Sequence, residues 1–502
     1  MMNKKWKYKR LYEILPGSIA WLILIVPIFM SFYAPRILST LLLFYLTFWL
    51  IRTFFMSYRL VLGYINYKRD IKIDWWKKVI KLASEKSYRD IYHLVIVPTY
   101  KEDIKILESS IGSVINTKYD NDRIIYVLAT EERDYQRAKE YSKILTKKYK
   151  KAIFDYITIM HPKDLPNEII GKGPNIAFAG EKMVAYFEKL KIAPKNVIVT
   201  NMDADNMMDK NYLACLTYKY LTDFDPVHKS FQPLPMYFNN IWDVPMAMRL
   251  VAMGSSAWQM IVATRPSRLR NFSAHAQSLE ALIMTDFWSK ETIVEDGHQY
   301  WRSYYRFNGL HEVIPMYTPI YQDAVLADNL IETIKEQYLQ KRRWSWGVSD
   351  IPYVMEHTFK DKKIHWIDRW ANALILWESH ISWSTASLVL ATSSWLPLVM
   401  NPDFKQTVIA FYFPVIYSRL LTIAWIGMII TLTISTLLMP VRRGRKPTER
   451  IFWDWVLTPL VLPVTNIMFS SVPALISQTN LMLGRYPSKF RVTVKSTQRS
   501  GT

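Results

Sequence analysis

Residues 196–205, "NVIVTNMDAD", decide the fold, because a short apolar run is followed at once by two carboxylates. The run predicts a buried strand, in which alternate side chains point to the same side. Asp203 and Asp205 are therefore expected to face one site. Two carboxylates this close repel each other and need a positive partner, either a hard divalent cation or a cluster of Lys and Arg side chains.

Similar apolar runs occur upstream, and segments of helical composition separate them. The runs are "YHLVIVPTYKED" (92–103), "RIIYVLAT" (123–130) and "FDYITIM" (154–160). Strands that alternate with helices predict an α/β layer with a largely parallel sheet. Ligands bind outside the carboxyl ends of such strands, and Asp203 and Asp205 fall there.

Uncharged stretches on both sides of this region predict membrane spans. Residues 18–34 and 37–50 carry no charge, and with their flanks each approaches the roughly 20 apolar residues that cross a bilayer. Residues 383–400 form a third candidate. Residues 408–439 are expected to begin with a segment that lies at the membrane interface. Arg419 would mark the membrane boundary, and a span would follow from Leu420 to Met439. At 453–476 the basic tail that follows and three prolines favour a re-entrant or interfacial hairpin over a span.

Charge and composition limit the location and the class of protein. Lys and Arg number 64 against 43 Asp and Glu, a net charge of +21. Basic residues collect on the cytoplasmic side of spans, so we expect a cytoplasmic face, and the plasma membrane, for the α/β domain. Nucleic-acid binding would explain the charge but not the spans, and no recognisable module supports it. The single cysteine, Cys215, excludes an intrachain disulfide framework.

A tryptophan-rich helix is predicted between the α/β region and the later spans. Its apolar face comprises Trp366, Trp370, Leu374, Trp377 and Ile381, spaced by one helical turn. Such a helix suits the membrane interface. The alternative is a helix of a soluble core.

The chain is thus expected to divide into nine segments. These are a basic cytoplasmic amino terminus (1–17), two transmembrane helices (18–57), a linker (58–90), the α/β domain (91–345), interfacial helices (346–382), further transmembrane helices (383–439), a basic cytoplasmic loop (440–452), a transmembrane or re-entrant segment (453–476) and a basic tail (477–502).

Three motifs carry the chemistry, and each has a plainer alternative. Asp-x-Asp suits a divalent metal shared with a nucleotide diphosphate, or an Asx-rich helix cap. "VEDGHQYWR" (294–302) places Glu295 and Asp296 together, as a general base or as another helix cap. "QKRRW" (340–344) could bind a diphosphate through its arginine and provide an apolar surface through its tryptophan. The alternative is that the adjacent arginine and tryptophan form a cation–π pair on the protein surface.

The order of the motifs is more specific than any one of them. "PTYKE", "GKGPNIAFA", Asp-x-Asp, "VED" and Gln-x-x-Arg-Trp follow one another between residues 91 and 345. This order resembles the membrane-embedded family 2 glycosyltransferases, the cellulose-, chitin- and hyaluronan-synthase-like enzymes. The resemblance implies a GT-A fold, an α/β, Rossmann-like nucleotide-sugar-binding domain inserted between α-helical transmembrane segments.

The resemblance also implies a role for each matching residue. The nucleotide pocket would comprise Pro98, Thr99 and Glu102. Lys172, Gly173 and Asn175 would lie near the diphosphate, Asp203 and Asp205 would hold donor and metal, and Asp296 would be the catalytic base beside Glu295. Gln340, Arg343 and Trp344 match the motif of processive members. "FQPLP" (231–235) and "FSAH" (272–275) lie where acceptor-lining segments are expected.

One segment departs from the family pattern. Members have an Asp-rich segment after the second strand that contacts the nucleobase, whereas this chain has "VLATEERD". Glu131 or Glu132 must then take that place, which leaves the nucleobase open.

The resemblance implies an inverting, metal-dependent hexosyltransferase. It would use Mg²⁺ or Mn²⁺ and move a sugar from a nucleotide donor, with UDP preferred, to a growing polysaccharide or glycan. Its partners would be the donor, a glycan or lipid-linked acceptor, and membrane lipids. One alternative is the transfer of a single sugar to a lipid carrier. Another is a non-catalytic membrane scaffold or transporter with a degenerate transferase domain.

Overall fold

The computed structural model describes residues 6–82, 87–440 and 448–487. Predictions for the first residues of the basic amino terminus, for 83–86 in the linker, for 441–447 in the basic loop and for 488–502 in the tail lie outside the described residues. The chain forms two compact units. We call Ile65–Asp243 with Val262–Ala324 the sheet unit. The helical unit comprises the chain up to Tyr64, Val244–Ile261 and Val325–Tyr486.

One eight-stranded sheet forms the centre of the sheet unit, in the order β3-β2-β1-β4-β7-β6-β8-β5. Its strands are β1 (Tyr92–Pro98), β2 (Ile124–Glu131), β3 (Asp155–His161), β4 (Val197–Asn201), β5 (Met207–Met208), β6 (Lys229–Met236), β7 (Ala276–Ser278) and β8 (Glu312–Tyr321). The first four strands are mutually parallel, as the sequence predicts. Strand β7 pairs antiparallel with both β4 and β6, so the whole sheet is mixed.

The helices are numbered in chain order: α1 (Lys9–Tyr33), α2 (Pro35–Asp70), α3 (Trp75–Lys81), α4 (Ile104–Ile115), α5 (Tyr135–Tyr149), α6 (Lys172–Lys189), α7 (Tyr212–Thr222), α8 (Met246–Ala263), α9 (Leu279–Met284), α10 (Glu295–Arg306), α11 (Leu330–Ser345), α12 (Asp350–Lys360), α13 (Trp366–Leu388), α14 (Leu396–Met400), α15 (Pro402–Lys405), α16 (Val408–Leu438), α17 (Thr448–Asn466) and α18 (Val472–Met482).

Alternate side chains of the parallel strands enter two apolar cores, one on each face of the sheet. In β1, Val95 and Val97 join the core that includes α4 and α7, whereas Leu94 and Ile96 join the core that includes α6 and α9. All four side chains are fully buried. Burial on both faces explains why these strands are continuous apolar runs in the sequence.

The two Asp-x-Asp carboxylates are not on a strand. Strand β4 ends at Asn201, and the carbonyl oxygen of Asp203 accepts a hydrogen bond from the Asn206 amide at 3.0 Å. The prediction that strand alternation orients Asp203 and Asp205 is therefore wrong. A turn beyond the strand sets their directions.

Four described helices are long and apolar enough to cross a membrane: Lys9–Tyr33, Pro35–Asp70, Val408–Leu438 and Ile451–Met482. The predicted span at 383–400 is not among them. Helix α16 is continuous through Pro414, so the segment before Arg419 belongs to the same helix as the predicted span, and its position at the interface stays a prediction. The hairpin favoured at 453–476 is wrong, since a π-helical turn at Ile467–Ser471 joins α17 to α18.

The tryptophan-rich segment forms helix α13. The side chains of Trp366 and Leu374 on this helix are 60% and 63% exposed. An exposed apolar face of this kind fits the predicted position at a membrane interface, which stays a prediction.

Helix α1 packs closely on α18 within the helical unit. A Cβ on Gly17 would lie 2.8 Å from the carbonyl oxygen of Gln478, so only glycine fits there. The Arg10 guanidinium donates to the Leu481 carbonyl at 2.9 Å and to the Met482 carbonyl, both at the end of α18. A cation at a helix carboxyl terminus is favourable because it satisfies carbonyls that have no partner within the helix.

Candidate active site

A buried lysine joins three carboxylates at the carboxyl ends of the parallel strands. The Lys172 Nζ lies 2.8 Å from Asp203 Oδ1, 3.4 Å from Glu295 Oε1 and 3.4 Å from Asp296 Oδ1. Burial lowers the pKa of Lys172, but the three carboxylates outweigh burial and raise it, so the side chain is an ammonium ion. The positive partner required by the Asp-x-Asp carboxylates is thus, in part, this lysine.

Two helix starts bring these side chains together. Lys172 opens α6, and Glu295 and Asp296 open α10, where carboxylates are favoured by the unpaired amides of the first turn. The two starts approach closely at Gly173. A Cβ there would lie 2.5 Å from the Ser289 carbonyl oxygen and 3.2 Å from the Glu295 Cβ.

Replacing Gly173 with alanine is expected to destabilise the protein by about 1–3 kcal/mol, because the added methyl group meets backbone that cannot move away. The matched control is Gly112→Ala in α4, where an added Cβ meets nothing within 4 Å. There alanine should be neutral or stabilising, as in ordinary helix interiors. Thermal unfolding of both variants tests this, and equal effects would contradict the close approach.

Asp296 is held by only one of its two carboxylate oxygens. Oδ1 accepts a hydrogen bond from Asn201 Nδ2 at 3.2 Å, and lies near Lys172. Among the residues that the structure describes, Oδ2 has no hydrogen-bond partner. The side chain is 22% exposed, so a ligand can reach it. A carboxylate that is anchored on one side and open on the other can accept a proton from a bound hydroxyl group.

A buried histidine lies behind Asp296. Trp288 Nε1 donates to His275 Nε2 at 3.1 Å, which places the ring proton on Nδ1. Nδ1 then donates to the Phe272 carbonyl at 2.9 Å and lies 3.7 Å from Asp296 Oδ1. Burial lowers the pKa of His275, which keeps the imidazole neutral.

The segment 272–275 presents a hydroxyl group to the Asp-x-Asp motif. Ser273 Oγ donates to Asp203 Oδ2, and Ala274 has a φ of 68°, which is unfavourable for a residue with a Cβ. The side chain of His275 closes this turn through its bond to Phe272. The prediction that "FSAH" lines the acceptor site stays a prediction; within this segment Ser273 contacts Asp203 and His275 lies near Asp296.

The Asp205 carboxylate accepts a hydrogen bond at Oδ2 from the Asp323 backbone amide at 3.1 Å. No group of three His, Cys, Asp or Glu side chains that could hold a metal ion exists in the described ranges. Two carboxylates fit Mg²⁺ or Mn²⁺ if phosphate oxygens supply further ligands. The donor set therefore fits a metal that arrives with a nucleotide diphosphate.

Residues predicted to bind the nucleotide lie at the ends of β1 and β2. Thr99 Oγ1 donates to Glu102 Oε2 at 2.8 Å, and Asn175 Nδ2 donates to the Ala129 carbonyl at 3.0 Å. Pro98 ends β1. Burial, with a smaller contribution from the Asp205 carboxylate, raises the pKa of Glu102 to about 7.

The two glutamates after β2 have different surroundings. Glu131 is buried, lies 2.6 Å from Arg133 Nη2 and, like Thr99, lines a small recess between β2 and α5. Glu132 accepts a hydrogen bond from the Lys163 amide at 2.9 Å, in the loop after β3. Glu131 and Glu132 are the two residues predicted to contact the nucleobase. Of these two, Glu131 lines the recess.

Gln340, Arg343 and Trp344 lie on α11 in the helical unit rather than in the sheet unit. Gln340 is buried, and its Oε1 accepts from Gln337 Nε2 at 3.1 Å. The Trp344 ring is 4.3 Å from Lys341 Nζ. The structure thus brings together Lys172, Asp203, Glu295 and Asp296 in one unit, and the three α11 residues in the other.

The sequence did not predict the contacts that four residues make in the site. These residues are Asn201, Ser273, His275 and Trp288. Asn201 ends the strand before Asp-x-Asp, so the rule that ligands bind at carboxyl ends of strands was a signal for it. The other three act through contacts between segments far apart in the chain, for which the sequence has no local signal.

No family model and no curated protein matches this sequence. Among solved structures, it is similar to mannosyltransferase PcManGT from Pyrobaculum calidifontis in complex with GDP-Man and Mn²⁺. The identity is 13%, the match covers 89% of this chain and 99% of that chain, and the TM-score is 0.42. It is also similar to residues 1–349 of S. aureus TarS with UDP-GlcNAc, at 13% identity over 79% and 93% of the two chains and a TM-score of 0.33. Likenesses this distant do not establish a shared activity.

Proposed function

We propose that this protein is an inverting membrane glycosyltransferase that moves a sugar from a nucleotide donor, a UDP-sugar first among the candidates, to a growing glycan. The observation that carries the proposal is the geometry of Asp296. One carboxylate oxygen is held by Asn201 and Lys172, and the other has no partner among the described residues. It suits a general base in a site that already gathers the Asp-x-Asp carboxylates.

The reaction follows from these positions. Asp296 takes the proton of an acceptor hydroxyl group while that oxygen attacks the anomeric carbon of the donor sugar. The bond from that carbon to the diphosphate oxygen breaks, and the diphosphate leaves with the bonding electrons. A single displacement inverts the anomeric centre and leaves the proton on Asp296. Lys172 and Asn201 keep the base oriented throughout.

The donor would extend from the recess at Thr99 and Glu131 towards Lys172 and Asp203. Glu131 would contact the nucleobase, and Lys172 would face the diphosphate. The carboxylates of Asp203 and Asp205 would hold Mg²⁺ or Mn²⁺, which would supply charge stabilisation for the leaving diphosphate. On α11, Gln340 and Arg343 would serve as a diphosphate clamp, and Trp344 would carry the acceptor sugar, as the resemblance of their motif implies.

The helical unit would hold the protein in the membrane. Four helices of sufficient length and apolar character are consistent with membrane association. We place the sheet unit on the cytoplasmic side of the plasma membrane because basic residues flank the spans. Nucleotide sugars would be available to it there.

Replacing Trp344 with alanine is expected to shorten the glycan product. Stacking on an aromatic ring contributes about 0.5–1.5 kcal/mol, so the loss should weaken acceptor binding by roughly three- to tenfold and release products early. The control is Trp366→Ala, which removes a 60% exposed tryptophan of the same unit. Product lengths are compared by gel electrophoresis, and an unchanged length distribution in Trp344→Ala would argue against a processive enzyme.

The test of the proposal is nucleotide release by purified protein in lipid nanodiscs. A panel of UDP-, GDP- and dTDP-sugars is supplied with Mg²⁺, with Mn²⁺ or with neither, and donor binding is measured in the same samples. Metal-dependent release with one donor, lost in Asp296→Asn, is the expected result. Release that is unchanged in the variant would exclude the mechanism. An absence of both donor binding and release would favour a non-catalytic scaffold.

A further inference from the structure

A lysine without a carboxylate partner lies in the helical unit. Lys341 Nζ donates to Ser255 Oγ on α8 at 2.9 Å and lies 4.3 Å from the centre of the Trp344 ring. Within the described part of the chain no Asp or Glu oxygen lies within 4.0 Å of it. This arrangement contrasts with Lys172, which has three carboxylate partners.

Lys341 is half-buried. Ser255 Oγ donates its own proton to the Val251 carbonyl at 2.8 Å, so it serves Lys341 as an acceptor. An ammonium has three N–H donors, and Ser255 satisfies one of them. Burial lowers the pKa of Lys341 to about 7. A cation placed in this way is costly unless an anion compensates it.

We propose that Lys341, Ser255 and Trp344 form a binding site for the phosphate group of a membrane lipid that carries the acceptor. The phosphate would accept the remaining N–H donors of Lys341. Trp344 would cover the same ammonium group and exclude water from the ion pair. This proposal rests on the proposed function, whose acceptor it specifies as lipid-linked.

The surroundings favour a lipid phosphate over an anion in solution. Leu250 and Met253 of α8 pack in one apolar cluster with Leu432 of α16, a helix long enough to span a membrane. Ser255 lies on α8 just after these residues, and Trp258, one turn further, is 43% exposed. Lysine and tryptophan together are typical of the boundary between the apolar core of a membrane and water. Phosphate groups of lipids are the anions found at that depth.

Binding of farnesyl phosphate and of farnesol to the full-length protein tests the site. The protein is reconstituted in nanodiscs of zwitterionic lipid without donor, and dissociation constants are measured by tryptophan fluorescence. The variants are Lys341→Met, which keeps the length of the side chain without its charge, and Ser255→Ala. The matched control is Lys335→Met, because Lys335 is an exposed lysine on the same helix. Inorganic phosphate and a glucuronate oligosaccharide are further probes.

The wild type is expected to bind farnesyl phosphate about tenfold or more tighter than farnesol, since a charge-assisted hydrogen bond distinguishes them. Lys341→Met should remove this preference, Ser255→Ala should reduce it about threefold, and Lys335→Met should leave it unchanged. Melting temperatures of the variants report folding. If Lys341→Met fails to fold, Ser255→Ala decides the outcome.

Other results would overturn the proposal. These are equal affinities for farnesyl phosphate and farnesol, equal preferences in wild type and Lys341→Met, or a dependence on Lys341 that is seen for inorganic phosphate or the glucuronate oligosaccharide but not for farnesyl phosphate. Because the assay contains no donor, its result is separate from the nucleotide-release test. A lipid-phosphate site would stand even if Asp296→Asn left release unchanged.

Discussion

Replacing Asp296 with asparagine is expected to slow sugar transfer by about 10²- to 10⁴-fold, the usual contribution of a general base. Asparagine has nearly the same shape, and its amide oxygen can still accept the hydrogen bond from Asn201, so the fold should persist. It cannot take the proton of the acceptor hydroxyl group. Donor binding should change far less than turnover, because the substitution removes proton transfer rather than a donor contact.

The measurement is the initial rate of nucleotide release at saturating donor, together with the melting temperature. A matched control is Asp122→Asn, which removes an exposed carboxylate of the same unit. This control should keep full activity. A rate for Asp296→Asn within a few fold of the wild type would show that another group takes the proton.

Replacing Lys172 with methionine is expected to have the largest effect on stability. Methionine fills similar space but leaves Asp203, Glu295 and Asp296 close together without their shared cation. Removing one partner of a buried ion pair costs about 3–5 kcal/mol, and the exposed fractions of Asp203 and Asp296 place this case near the lower limit. The protein should unfold at a distinctly lower temperature.

The loss of stability in Lys172→Met should become larger as the pH rises. Without Lys172, mutual repulsion raises the pKa of the clustered carboxylates above their unfolded values. A carboxyl group whose pKa is higher in the folded protein than in the unfolded chain stabilises the fold at pH values below its pKa in the unfolded chain. This stabilisation is lost as the pH rises through its pKa in the folded protein. In the wild type the raised pKa of Lys172 keeps the ammonium charged throughout this range, so its contribution is constant.

Melting temperatures at pH 5 and pH 8 test this, with Lys290→Met as the control. Lys290 also contacts two carboxylates, Glu168 and Glu181, but its side chain is 31% exposed. Exposed pairs contribute about 0–1 kcal/mol, so the control should shift the melting temperature little at either pH. Equal shifts in the two variants would contradict the role of Lys172 as the centre of the cluster.

The parallel half of the sheet could be predicted from the sequence, and the other half could not. Strands β1 to β4 are apolar runs because both faces of the sheet are covered. Strands β6 and β8 contain prolines, which usually exclude a segment from a sheet. In β6 a register shift between Gln232 and Leu234 accommodates Pro233. Prolines misled the prediction again at 453–476, where a π-helical turn keeps the helix continuous.

The candidate site was predictable in its charged residues and not in its neutral ones. Lys172, Asp203 and Asp296 follow strands or open helices, and motif order was enough to select them. His275 and Trp288 are buried residues that would be assigned to a core from sequence alone. Their importance comes from one hydrogen bond between two loops. Asn201 joins the end of β4 to Asp296, a contact that only the packing of α10 against the sheet creates.

The pairing of α1 with α18 imposes an order on biosynthesis. Arg10 and Gly17 are translated more than 450 residues before their partners at 478–482. At about 5–20 residues per second this interval lasts on the order of half a minute or more. During that time α1 has none of its contacts with α18, and it can pack only on helices translated earlier, such as α12 and α13. The helical unit can complete its packing only after translation has passed its last helix.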